Sequence, residues 1–187
     1  MDSDAKDLIQ MFVRSGFYEA ERIIEILCQE AYAPGELDES DVRAAVQTEF
    51  SRLRQDERGW PSETDCDRLD RVFDALSGHG LIALQNAGYT QSDGYEDCME
   101  VYRSATTETK LSGYCFYHGQ DLERAVKGGG LYLAFGPIDA KKEQTEGPVV
   151  GRLIVAELER LRFRVEWNGT FSSRMFIPRF DWKRRIR

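Results

Sequence analysis

The sequence predicts an α/β protein, with α+β as the alternative: N-terminal helices packed on a C-terminal mixed sheet of four or five strands. Two observations carry this. Residues 1–77 repeat apolar side chains at helical spacing, and from residue 81 onward short apolar runs alternate with amphipathic stretches. A 41% hydrophobic fraction in 187 residues is enough for a core.

In the first section Ala5, Leu8, Ile9 and Phe12 share a face, and Gly16 follows as a stop. Ala20, Ile23, Ile24, Leu27 and Ala31 form a second stripe, ended by Pro34-Gly35. Val42, Ala45, Val46, Phe50 and Leu53 form a third, with Asp38 or Ser40 as its cap. Thr64 and Asp67 have the spacing of a capping box before Leu69, Val72, Phe73 and Leu76. Each stripe is the core face of an amphipathic helix.

In the second section Leu81–Leu84 is a short strand, and Ser92-Asp93-Gly94 is a turn. A helix follows with Asp93 as cap and Glu96 closing the box. Tyr114–Tyr117 is a strand, Leu122–Val126 a short helix, and Leu131–Phe135 the most strand-like segment, predicted to lie centrally. Residues 139–147 read as a polar loop, and Pro148 as the first residue of a helix running to Leu161. Phe163–Trp167 and Arg174–Ile177 read as a hairpin about Asn168-Gly169. The expected organisation is a helical section, 1–77, and an α/β section, 78–187, forming one cooperative unit.

The net charge is −8, which argues against a general polyanion binder. The charge is uneven. From Arg160 to Arg187 nine Lys/Arg stand against Glu166 and Asp181, a local +7, so residues 1–159 carry −15. The basic end is expected to fold back on the body through Trp182, its arginines pairing with carboxylates of the helices. The chain lacks a run of about 18 apolar residues, so no membrane span is expected. Met1-Asp2-Ser3-Asp4 is unlike a signal peptide, which points to the cytoplasm. Cys28, Cys66, Cys98 and Cys115 lack C-x-x-C spacing and read as buried reduced thiols, with no metal and no cofactor expected.

From Gly59-Trp60-Pro61 onward the sequence resembles an uncharacterised bacterial family, a domain of unknown function. The resemblance is carried by Thr64-Asp65-Cys66-Asp67-Arg68-Leu69, Tyr117-His118-Gly119-Gln120-Asp121, Gly128–Gly136, Val165–Gly169 and Asp181–Arg185. It implies no activity. Where some relatives carry a cysteine cluster after the first strand, this chain reads Tyr89-Thr90-Gln91-Ser92-Asp93-Gly94, so no metal or redox role transfers.

The best site candidate is His118-Gly119-Gln120-Asp121, at a strand end and a helix start, where open α/β sheets bind ligands. His118 could serve as base or ligand, with Asp121 orienting it. Tyr89, Gln91 and Asp93, in the loop after the first strand, could share the same rim. Equally, Asp121 or Gln120 starts a helix and His118 satisfies buried backbone. His79, between Gly78 and Gly80, reads as a turn residue. Gly128-Gly129-Gly130 follows a helix and precedes a strand, the reverse of a phosphate loop, and reads as helix termination.

No catalytic residue is assigned, because the chain lacks a G-x-S-x-G elbow, an H-E-x-x-H pair and a Walker lysine. The leading functional reading is a non-catalytic binding or protein-interaction module, with a protein partner or a homodimer. The alternatives are a small-ligand binder or enzyme with a polar cleft around His118, and nucleic-acid contact through the basic C-terminal stretch. Nucleic acid is the least favoured partner, and no membrane is expected.

Overall fold

The structure is a computed structural model and describes residues 1–106 and 110–186. The chain forms two compact units, Met1–Thr64 joined by the chain from Trp182 on, and Asp65–Asp181.

The first unit is helical. Asp2 accepts the Ala5 amide at 2.8 Å and starts α1 (Ser3–Ser15). α2 (Ala20–Glu25) runs into a π-helical turn, Ile26–Ala31, closed by the Tyr32 amide on the Leu27 carbonyl at 3.2 Å. Asp38, not Ser40, caps α3 (Glu39–Glu57), accepting from the amides of Ser40 and Asp41. Ala5, Ile9 and Val13 of α1, Ile23 of α2, Leu27 of the π-helical turn, and Val42, Val46 and Leu53 of α3 form one buried cluster. Arg14 ties α1 to α3 through Glu49 and Asp56, each at 2.9 Å.

The C-terminal chain closes this unit. The Trp182 indole N–H donates to the carbonyls of Arg14 and Ser15 at 3.1 and 3.3 Å, and its ring lies 6.4 Å from Phe17. The arginines meet aromatic rings and backbone. Arg184 stands over Phe17 at 4.6 Å, and Arg185 over Trp60 while donating to the Pro61 carbonyl. The Glu57 carboxylate takes the Ile186 amide at 3.0 Å. Arg187 lies outside the described residues. Trp182→Ala removes an aromatic body and two hydrogen bonds, so it should cost about 2 kcal/mol. Arg185→Ala removes an exposed contact worth about 0–1 kcal/mol. Thermal melts of the two variants check the order; a Trp182→Ala midpoint equal to wild type would refute the fold-back.

The second unit holds the sheet. Its elements are α4 (Asp65–Gly78), β1 (Leu81–Leu84), α5 (Gln91–Ser104), β2 (Gly113–Phe116), α6 (Gly119–Val126), β3 (Leu131–Pro137), α7 (Glu143–Arg160) and β4 (Met175–Ile177). Strand order is β1-β2-β3-β4; β1 and β2 are parallel, and the other pairings antiparallel. β3 is therefore internal, and Leu133 at its centre is fully buried. Ile82, Tyr114, Phe116 and Ala134 cluster with Cys98 and Met99 of α5. Those strand residues occupy alternate positions, as the pleat requires. α6 ends in Gly128 at φ +77°, with the amides of Gly128 and Gly129 closing onto the carbonyls of Ala125 and Arg124. The triple glycine thus terminates a helix, as expected.

Three local expectations are corrected. α5 starts earlier than predicted: Thr90 is the cap and Asp93 closes the box, with mutual bonds of 2.9 and 3.3 Å. Residues 139–147 are not a loop. Asp139 caps a 3-10 turn, Ala140–Lys142, and α7 begins at Glu143 with Pro148 inside it. Proline is tolerated there because its missing N–H frees only the carbonyl of Gln144, an exposed residue that water can reach. The strand predicted over Phe163–Trp167 reduces to a single bridge, Glu166 with Phe176, at 2.8 and 3.0 Å. The chain leaves the sheet around it: Arg162 turns at φ +65°, Phe163 stacks on Phe180, and Trp167 packs edge-on against Phe135.

Asn168-Gly169 is accordingly not a two-residue hairpin turn. The Asn168 side chain accepts the amide and hydroxyl of Thr170 at 3.0 and 2.8 Å. The Trp167 indole N–H spans the carbonyls of Thr170 and Ser173 at 2.9 and 3.2 Å. Residues 167–174 thereby form a braced loop.

Candidate functional site

The C-terminal ends of the parallel strands β1 and β2 carry two loops that bond to each other. Ala87 donates its amide to Tyr117, Gly119 to Gly88, and Gln120 to Tyr89, at 2.9, 3.0 and 3.2 Å. This zipper fixes the start of α6 and uses its first amides. The helix N-terminus therefore has no free N–H at Gly119 or Gln120 to offer an anion. Any recognition there must come from side chains.

His118 is the N-cap residue of α6 and is buried at 3% exposure. Asp121, also 3% exposed, lies one turn on. One of its carboxylate oxygens accepts the His118 amide at 3.3 Å, faces the imidazole Nε2 at 3.1 Å and is held by the Arg174 guanidinium. Arg174 thus reaches from the braced loop to the start of α6. Two polar atoms in this cluster are buried without a hydrogen-bond partner, Nδ1 of His118 and Nε of Arg174. The Tyr89 backbone lies beside the ring and favours its charged form.

Burial pushes the imidazole below its ordinary value of 6.5. Asp121 opposes that shift and Arg174 adds to it, while the more distant Asp93 opposes it weakly. His118 is therefore neutral at pH 7. The folded state keeps the ring neutral, whereas the unfolded chain takes up a proton as the pH falls below about 6.5. Stability contributed by this group is present above that pH and is lost below it. Between pH 7 and 5, wild type should lose more stability than His118→Asn, which can still cap the helix. Urea titrations at the two pH values measure the difference; equal losses would contradict it.

Around this cluster lies an open cleft of about 450 Å³ lined by Gln91, His118, Gln120, Asp121, Arg124, Tyr132 and Arg174. Arg124 and Arg174 stand 5.5 and 5.2 Å from the centre of the Tyr132 ring, which stacks on Phe176 at 4.4 Å. Of the six candidates from the sequence, Gln91, His118, Gln120 and Asp121 meet on this cleft. Tyr89 is exposed and turns its hydroxyl to Glu123 at 3.1 Å. Asp93 is taken up by the Thr90 capping box. Sequence reasoning missed Arg124, Tyr132 and Arg174. In the sequence Arg174 stands at the start of the expected returning strand and within the basic stretch, with no local pattern linking it to Asp121.

Elsewhere, His79 is exposed and its Nε2 meets Glu157 at 3.1 Å. The four cysteines are all buried; burial raises the Cys98 thiol to about 12, and that of Cys115 also upward. Among the described residues no three His, Cys, Asp or Glu groups are arranged to hold a metal ion. Among the same residues, no helix is long and apolar enough to cross a membrane.

No curated protein and no solved structure matches this chain. A family model described as a domain of unknown function (DUF6891) matches residues 1–186. That span takes in the N-terminal helices as well as the segment from Gly59 that carried the resemblance, and the chain belongs to this family.

Proposed function

We propose that the protein is a non-catalytic binding module whose site is the cleft at His118, and that it takes a small anionic ligand. The observation that carries this is the pair of guanidinium groups, Arg124 and Arg174, lining one cleft beside Tyr132, with the Nε–H donor of Arg174 buried and without a hydrogen-bond partner. Native proteins rarely leave such a donor unsatisfied, and a ligand supplies what is missing. The charge favours an anion: Arg124 and Arg174 outweigh Asp121, and the imidazole is neutral. A guanidinium fork suits carboxylate or phosphate.

Binding is favoured over catalysis because no serine, threonine or cysteine is among the residues lining this cleft. His118 is too enclosed to exchange a proton with a substrate freely. The raised thiols of Cys98 and Cys115 are poor nucleophiles near neutrality. Buried thiols and the lack of a membrane-spanning helix among the described residues support a cytoplasmic setting. Nucleic-acid binding has less support, since Arg184 and Arg185 lie over aromatic rings instead of forming a free basic strip.

Calorimetric titration with inorganic phosphate, acetate and a neutral polyol tests the reading. At least one anion should bind and the polyol should not. Arg124→Ala, at an exposed position, should weaken that binding by about tenfold or more, in keeping with about 1.5–3 kcal/mol for a charge-assisted hydrogen bond. Arg152→Ala, on the exposed side of α7, should leave it unchanged. Failure of every anion to bind, or equal weakening by both variants, would overturn the proposal.

A further inference from the structure

The cleft at His118 does not end at Arg174. A second cavity, of about 660 Å³, shares Gln91 and Arg174 with it and continues along the sheet face that carries Tyr114, Phe116 and Ala134. Aromatic side chains form much of its wall, Tyr95 from α5, Tyr114 and Phe116 from β2, Phe135 from β3 and Phe171 from the braced loop, and Ser92, Ser172 and Ser173 add hydroxyls. Tyr95 meets Tyr114 edge-on at 5.5 Å, and Tyr114 stacks on Phe116 at 6.0 Å. At Gly136 the floor of this compartment is closely packed. A Cβ on Gly136 would fall 2.5 Å from the Tyr114 hydroxyl and 2.9 Å from the Phe171 ring. One loop thus supplies both Phe171 to the aromatic compartment and Arg174 to the polar one. The bonds of Trp167 and Asn168 hold that loop in shape before any ligand arrives. At the far rim Glu143 presents a carboxylate.

We infer that the ligand is a planar aromatic anion, with its acidic group between Arg124 and Arg174 and its ring in the compartment walled by Tyr95, Phe116 and Phe171. This deepens the anion-binding reading and rests on it. Aromatic walls favour a ring because stacked and edge-on contacts add to the burial of its faces. An apolar chain without charge would leave Arg174 Nε unpartnered, and an anion without a ring would leave the second compartment in water. Glu143 further favours a ring bearing an N–H or amino donor at the end away from the acid.

The acid can be phosphate or carboxylate, and the test separates them. Adenosine 5′-monophosphate is compared with inorganic phosphate, and indole-3-acetate with acetate, by calorimetry on the full chain. At least one ring-bearing probe should bind at least tenfold more tightly than its ring-free counterpart. Phe171→Leu, which keeps apolar packing against Gly147, should remove most of that advantage while leaving the ring-free anion's affinity unchanged. Its melting temperature confirms that it folds, and Tyr95→Leu provides a second variant from another element. If ring-free anions bind as tightly as ring-bearing ones, or if both variants keep the full advantage, this inference is overturned and the anion site stands. If no anion binds, both readings are overturned.

Discussion

Leu133→Asp is expected to abolish folding of the sheet-bearing unit. Leu133 is fully buried in β3, between β2 and β4, opposite Met175. Burying a leucine side chain is worth about 1.5–3 kcal/mol, all of it forfeited. The new carboxylate would meet no partner there, and an unpaired buried charge costs several kcal/mol more or forces protonation. Single domains have only about 5–15 kcal/mol to lose. The variant should accumulate as insoluble protein, or show a urea midpoint far below wild type. Val149→Asp provides the control: Val149 sits on α7 at 56% exposure, so its stability should change by less than about 0.5 kcal/mol. A soluble Leu133→Asp protein with an unaltered midpoint would show that the strand assignment is wrong.

Asp121→Ala should be the most costly single change at the candidate site, at about 3 kcal/mol. The Asp121 side chain is 5% exposed and serves three donors: the His118 amide, the His118 ring and Arg174. Removing one partner of a buried pair typically costs about 3–5 kcal/mol. The 28% exposure of the Arg174 side chain lets water offset part of that here. Asp121→Asn keeps an acceptor for the His118 amide but loses the charge facing Arg174, so it should fall between alanine and wild type. Asp121→Ala combined with Arg174→Ala should cost less than the sum of the two, because the second change removes the group that the first leaves unpaired. Urea denaturation of wild type, the three single variants and the double variant supplies the comparison. Strict additivity would mean that Asp121 and Arg174 do not interact energetically.

Much of the α/β layout was legible because period and punctuation agree. The stripes of α1 and α3 and the apolar run of β3 sit where spacing put them, and Gly16 and Gly128 stop helices as glycines should. The failures occur where a local signal was overruled by packing. Pro148 looks like a helix start, yet the helix extends back to Glu143, with Gly147 buried beside Phe171. Asn168-Gly169 looks like a hairpin turn, yet Trp167 and Asn168 spend their hydrogen bonds inside a wider loop. The candidate site was half legible for the same reason. His118 and Asp121 are neighbours in sequence, so a capping pattern reveals them. Arg174 is 53 residues from Asp121 and reaches it only through that wider loop, which no short-range pattern encodes.

The helical unit is discontinuous in sequence: it is completed by the chain from Trp182 on, after the whole of residues 65–181. The two ends of the intervening unit meet, the Asp181 amide bonding to the Asp65 carboxylate at 3.0 Å. That arrangement imposes an order on biosynthesis. α1, α2 and α3 leave the ribosome well before the indole that bonds the end of α1. At about 5–20 residues per second the wait is several seconds, during which Phe17 lacks its Trp182 and Arg184 neighbours and Trp60 its Arg185. The sheet-bearing unit has all its residues first, and once folded it brings the two ends of its chain together. A chain cut short just before Trp182 would then be damaged in its N-terminal helices, and those helices should be the chaperone-dependent part of the nascent chain.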